Sequence, residues 1–307
     1  MIKESMIKPA VQKVIDAHEA GGRRFDAGGL QSFVRERGQG DPIILFHGIP
    51  SSSYLYRKVI PLLAERGFRA LSFDLPGLGF ADRPPGFDYT FGGLGSWAVK
   101  AVDTLGLGRF HLVVHDAGGP VGFEMAKVMP ERIRSLTLLN TVVDLKSVPF
   151  AMEFYARFAT GEHWPALPPA WATRELIYRV GINDRGATPP AEVDVYRELV
   201  LREDNGRAYL ELMRNLDQTR KDGADYSAVI DTRKVPYPVQ IIWSADDRTL
   251  SLREHGWKAR EQPAWKRSRP CPANTSFRKI WRPKLPQPWL FSRPQHRRHQ
   301  EDHQAVC

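Results

Sequence analysis

The chain has 307 residues, enough for one large α/β domain with an insertion or for two small domains, and its 42% hydrophobic content is ordinary for a globular protein. No apolar run is long enough to cross a bilayer and the opening Met1-Ile2-Lys3-Glu4-Ser5 has no signal-peptide character, so no membrane partner and a cytoplasmic location are expected. The net charge of +9 sits mostly at one end: residues 261–307 hold ten Lys/Arg against three Asp/Glu, which leaves a nearly neutral body and argues against a nucleic-acid partner.

In chain order, residues 1–23 read as a partly polar, helical leader. Short strand patterns follow at 24–27, 31–36 and 42–46, then a helical pattern at 54–66, a strand at 68–73 and a helix at 94–105. A strand at 110–115, a helix at 120–129 and a strand at 133–140 complete a first α/β unit over 24–141, and this alternation implies right-handed crossovers and a mostly parallel sheet flanked by helices. Between 142 and 232 the pattern turns helical, aromatic and proline-punctuated, with helices expected at 150–159, 169–178, 191–202 and 207–216; this reads as an inserted helical cap. The α/β pattern returns over 233–261, with a strand at 237–243 and a helix near 252–260. The stretch 262–307 is an irregular basic tail with seven prolines, and it holds both cysteines, Cys271 and Cys307, so the body has neither a disulfide framework nor metal-ligand spacing. No metal or cofactor is expected.

The most informative segment is Val114-His115-Asp116-Ala117-Gly118-Gly119. An apolar strand runs into one acidic residue, then glycines, then a helix, the context of a nucleophile elbow in which Asp116 is the nucleophile. Such a corner is strained and needs small neighbours, and the helix behind it favours an anion at Asp116. The plainer alternative is that Asp116 only caps the helix. His47-Gly48-Ile49-Pro50 directly follows the strand at 42–46. In an elbow architecture one oxyanion donor is the amide after the nucleophile and the other comes from this earlier loop, which assigns the backbone N–H groups of Ala117 and Ile49. Asp74 and Asp82, in the Gly/Pro-rich stretch after the next strand, are expected to cap loops.

His47-Gly-Ile-Pro-Ser-Ser-Ser-Tyr-Leu-Tyr-Arg57, Asp74-Leu-Pro-Gly-Leu-Gly79 and His115-Asp-Ala-Gly-Gly119, in this order and spacing, resemble the haloalkane dehalogenase and epoxide hydrolase branch of the α/β hydrolases over roughly residues 24–260. The resemblance implies the α/β-hydrolase fold with a cap, an Asp nucleophile that forms an alkyl-enzyme ester, an acid after a later strand, and a water-activating His near the end of the fold. The family pattern places the acid three residues after a small residue, here Ser244, which implies Asp247, with Asp246 second; Asn140 stands where some relatives carry the acid instead. Dehalogenases of this group hold halide with a Trp after the nucleophile and an Asn or Trp elsewhere, but here those places are Ala117 and Ile49. Trp164 and Trp171 are the cap indoles to consider, and Tyr155, Tyr178, Tyr196 and Tyr209 are the cap hydroxyls an epoxide hydrolase would use.

The catalytic His remains unassigned. Where the pattern expects His-Phe-Leu-Gln-Glu-Asp the chain reads Asn274-Thr-Ser-Phe-Arg-Lys-Ile280, and codons for that stretch, read two bases later, permit the expected motif. The tail from about Glu261 therefore reads as a shifted frame, and His296, His299 and His303 lie in it without a strand to position them. The expected function is a dehalogenase-like hydrolase acting on small apolar carbon electrophiles, with an epoxide hydrolase and a catalytically impaired small-molecule binder as alternatives. A serine esterase is disfavoured because no Gly-x-Ser-x-Gly follows a strand.

Overall fold

The computed structural model describes residues 7–147, 167–182, 184–247 and 249–256. Helix α1 (Pro9–Glu19) leads into strands β1 (Arg23–Asp26), β2 (Gln31–Arg37) and β3 (Asp41–Phe46). Then come α2 (Ile60–Ala64), β4 (Phe68–Phe73), α3 (Phe91–Thr104), β5 (Phe110–Asp116), α4 (Gly118–Val128) and β6 (Ile133–Thr141). The segment after β6 contributes α5 (Ala170–Val180), α6 (Pro190–Leu201), α7 (Arg207–Lys221) and the short α8 (Ser227–Ile230) before β7 (Val239–Ile242). The expected helix at 150–159 and the tail from 257 onward lie outside the described residues.

The strands form one sheet in the order β1-β2-β4-β3-β5-β6-β7. Pairs β1/β2 and β2/β4 are antiparallel, and every pair from β4/β3 to β6/β7 is parallel. A parallel sheet is covered on both faces, which is why its central strands are rich in apolar residues on both sides. In β3, Ile44 and Phe46 join the cluster under α3 and α4, while Ile43 and Leu45 join the opposite cluster under α2, as the two-residue period of a strand requires. The chain leaves β3 for β4 on one side, and β5 lies on its other side. The crevice at the carboxyl ends of β3 and β5 is therefore a topological switch point, where open α/β sheets place their ligands.

Two expected elements differ. The helix at 54–66 is split into a 3-10 turn, Ser53–Tyr56, and the short α2, because Pro61 lacks an N–H and fits only the first helical turn. The helix near 252–260 is described only as a single wide turn, Leu252–Gly256.

Helix α6 is tied along its length to α1 and to the loops at the carboxyl ends of the strands. Val195 and Leu199 pack in one cluster with Val11 and Ile15 of α1 and with Phe33, Tyr54 and Phe80. At the start of α6, Glu192 pairs with Arg57 and Lys58. At its end the buried Arg83 donates to the carbonyls of Leu199 and Val200, both at 2.6 Å.

Candidate active site

Asp116 ends β5 at φ +50°, in the left-handed region that few non-glycine residues adopt. The constraint is visible on both sides. The β5/β6 register shifts between His115 and Asp116, and the Thr141 hydroxyl donates to the Asp116 carbonyl at 2.6 Å. A Cβ on Gly119 would lie 1.8 Å from Thr141 Oγ1, and one on Gly118 would lie 2.5 Å from the His47 carbonyl. These glycines permit close approach of the helix start to the β3 loop, at Gly118, and to the end of β6, at Gly119, rather than supply an unusual φ. Gly48 faces the carboxylate itself, its Cβ position being 2.3 Å from Asp116 Oδ2.

The Asp116 carboxylate does not cap α4, whose N-cap is Ala117 with no side-chain cap bond. Its Oδ2 instead accepts from the Ile49 N–H at 3.0 Å, so the two residues singled out on separate loops are brought together. Ala117 stands at the first turn of α4, where amides have no intrahelical acceptor.

His47 is fully buried and holds this loop from within. Its Nε2 accepts from the Leu75 N–H at 3.1 Å, which leaves the proton on Nδ1 to donate to the Gly48 carbonyl at 3.0 Å. With both ring nitrogens committed and burial pushing its pKa down, His47 is a neutral structural imidazole. Asp74 accepts from Ser53 N and Phe80 N, each at 2.7 Å, and Asp82 accepts from Gln31 N at 2.9 Å, so both carboxylates cap loops.

Asp247 lies past the end of β7 and is half-buried, whereas Asp246 is exposed. Its Oδ1 accepts from Thr249 N at 2.8 Å and Leu250 N at 2.7 Å, and its Oδ2 accepts from the Asn140 amide. Asn140 was set aside in the sequence because an amide cannot replace a carboxylate; the structure makes it the partner of the carboxylate. His115 also escaped the sequence reading, which searched the tail for histidines. Burial lowers its pKa, while the charges of Asp116 and Asp247 both oppose that shift, so this imidazole lies within the field of both carboxylates.

Of the aromatic residues between β6 and β7 singled out in the sequence, Trp171 is 72% exposed rather than packed in a core. The Tyr178 hydroxyl donates to the Thr188 carbonyl at 2.7 Å, and Tyr196 packs against Tyr54 at 5.3 Å between ring centroids. Tyr209 is buried on the apolar face of α7, with Leu212, Met213 and Leu216, in the cluster that also holds Ala117 and against which Ile49 packs. Trp164 and Tyr155 lie outside the described residues.

Among curated proteins, the chain is 39% identical over 114 residues to an uncharacterized hydrolase of Saccharomyces cerevisiae, covering 36% of this chain and 39% of that one. It is 38% identical over 104 residues to a haloalkane dehalogenase of Psychrobacter cryohalolentis, covering 34% of each. The aligned stretch thus spans little more than a third of these relatives' length. Among solved structures, an epoxide hydrolase from Vigna radiata superposes with a TM-score of 0.58 at 25% identity, covering 73% of this chain and 79% of that one. Residues 41–274 match the family profile described as alpha/beta hydrolase fold. That match takes in the elbow at Asp116, the loop at Ile49 and the carboxylate at Asp247, and the chain belongs to the alpha/beta hydrolase fold family.

Proposed function

We propose that this protein is a hydrolase whose Asp116 attacks a small apolar carbon electrophile, as a haloalkane dehalogenase does. The observation that carries the reading is the strained Asp116 corner, with Oδ2 held by the Ile49 amide 3.0 Å away. One carboxylate oxygen is anchored, so the other is free to bond to carbon. The C–X bond breaks with its electron pair leaving on halide, and an alkyl ester forms at Asp116. Water then adds to the ester carbonyl, the Ile49 and Ala117 amides take the oxyanion, and the alcohol departs. That water needs a base, normally a His oriented by an acid, and in this reading the acid is Asp247. The segment between β6 and β7 is read as the cap in this scheme, into which neither a metal nor an organic cofactor enters.

Two observations favour an epoxide as the second reading. Ala117 and Ile49 have no side-chain donor for a halide, and Tyr209 is buried on the cap helix that packs into the same apolar cluster. The expected His motif is absent from residues 271–281, which supports a chain that captures its substrate once and releases it slowly. A halide-release assay run beside a diol-formation assay separates these chemistries. With an alkyl halide the expected result is a burst of about one equivalent of halide per chain, followed by a phase slower by about 10²–10⁴-fold than an intact base would give. With an epoxide the diol leaves only when the ester is hydrolysed, so diol formation is slow throughout and the burst is read as the covalent adduct. Fast multiple turnover of either substrate contradicts the impaired form, and no reaction with either substrate contradicts the hydrolase reading.

A further inference from the structure

One side chain bridges the fork between the residues that follow the β6/β7 pairing. Asn140, the penultimate residue of β6, is a non-glycine at φ +36°. Its Oδ1 accepts from the Ser244 N–H at 3.0 Å, just past β7, and its Nδ2 donates to Asp247 Oδ2. The opposite oxygen of Asp247 is already held by two backbone amides, Thr249 N and Leu250 N. Three donors therefore fix one carboxylate, and the only one of the three that comes from a side chain on a different strand is Asn140. A residue held in a sparsely populated backbone region persists when its surroundings demand it, and both polar ends of this side chain are in use.

We infer that Asn140 is a positioning residue that spans the β6–β7 fork and fixes the orientation of the Asp247 carboxylate toward the crevice. This rests on the reading of Asp247 as the acid of the site. An amide suits the task because it offers an acceptor to Ser244 and a donor to Asp247 at once. A carboxylate at 140 offers two acceptors and would oppose Asp247. The titratable group that faces Asp247 from β5 is His115, itself beside Asp116, and it is common to every variant below.

The test is the melting temperature of the full-length chain from pH 5 to pH 8, for the parent, Asn140→Asp, Asp247→Asn and the double variant. In Asn140→Asp two carboxyl groups meet, and one must keep a proton. An acid whose pKa is raised on folding binds more protons in the folded state, so stability falls as pH rises. The deficit of Asn140→Asp relative to the parent is expected to grow by about 5 °C or more between pH 5 and pH 8, and Asp247→Asn in the same chain is expected to erase that growth. A deficit that is flat with pH, or that survives Asp247→Asn, overturns the inference. If Asn140→Asp does not fold at any pH, amide exchange in Asn140→Ala decides: exchange at Thr249 and Leu250 faster by about tenfold supports it, and unchanged exchange overturns it. None of these readouts involves Asp116. Alkylation at Asp116 without the pH coupling overturns this inference alone, and coupling without alkylation overturns only the proposed function.

Discussion

Arg83→Met is expected to destabilise the protein by about 3–5 kcal/mol, the range seen when one partner of a buried charged network is removed. The Arg83 side chain is only 3% exposed and pairs with Asp204 at 3.1 Å. Its guanidinium also donates to the carbonyls of Leu199 and Val200 at 2.6 Å and of Gly79 at 2.9 Å. Leu199 and Val200 lie in the last turn of α6, where carbonyls have no intrahelical donor and the helix dipole favours a cation. Methionine keeps most of the apolar stem but leaves these acceptors buried without their donor. Asp204 retains Gly206 N and Ala208 N at 2.9 Å each, so the loss falls mainly on the helix end. Arg83→Lys is expected to recover less than half, since one ammonium cannot reproduce a planar fork that serves four acceptors. Urea unfolding at unchanged m-value measures this, and a loss below about 1 kcal/mol would show that α6 is held by other contacts.

The second large effect is acid sensitivity centred on His18. Its ring is buried among Phe33, Tyr54 and Phe80. The Arg35 guanidinium, a donor only, reaches Nδ1 at 3.2 Å, so the proton must sit on Nε2, facing Ser53 Oγ at 3.3 Å. Burial, then the charges of Arg35 and Arg57, lower the His18 pKa from 6.5 to about 3. The sign follows from linkage. The unfolded chain protonates near pH 6.5 while the folded chain stays neutral, so the unfolded state binds the extra proton and stability falls as pH drops. The contribution is fully present above about pH 6.5 and is lost progressively toward pH 3. At about 1.4 kcal/mol per unit, the loss reaches about 2 kcal/mol by pH 5. His18→Gln removes the titration, so the stability gap between the parent and this variant should narrow by about 2 kcal/mol from pH 7 to pH 5. A constant gap would mean that His18 stays neutral in both states or is hydrated in the fold. The network also includes Tyr54 and Arg57, which join the β3 loop to Glu192 of α6, so acid loosening at α1 reaches the segment that follows Ile49.

The sheet was legible because strands covered on both faces carry short, mostly apolar runs bounded by turn residues. β4 matches its expected bounds residue for residue, and β3, β5 and β6 differ from theirs by one residue at an end. The elbow was legible because close approach demands Gly118 and Gly119 next to an acidic residue at a strand end. What was not legible depends on partners remote in the chain. The Asn140–Asp247 contact joins residues 107 apart, and no local pattern distinguishes an amide that orients a carboxylate from one that merely ends a strand. Arg83 belongs to a loop stretch read only as a tight turn, yet its acceptors on α6 lie 116 and 117 residues away. Pro61 was visible throughout, and its power to split the pattern at 54–66 follows from its missing N–H alone.

The account turns on Asp116 as the atom donor to carbon. Incubating the full chain with 1-bromobutane and mapping the adduct by peptide mass spectrometry tests this directly. The account predicts one butyl group on the peptide carrying Asp116, as a base-labile ester, and its absence from folded Asp116→Ala. A folded parent chain that acquires no butyl group there, or acquires it on another residue at the same rate in Asp116→Ala, contradicts the account.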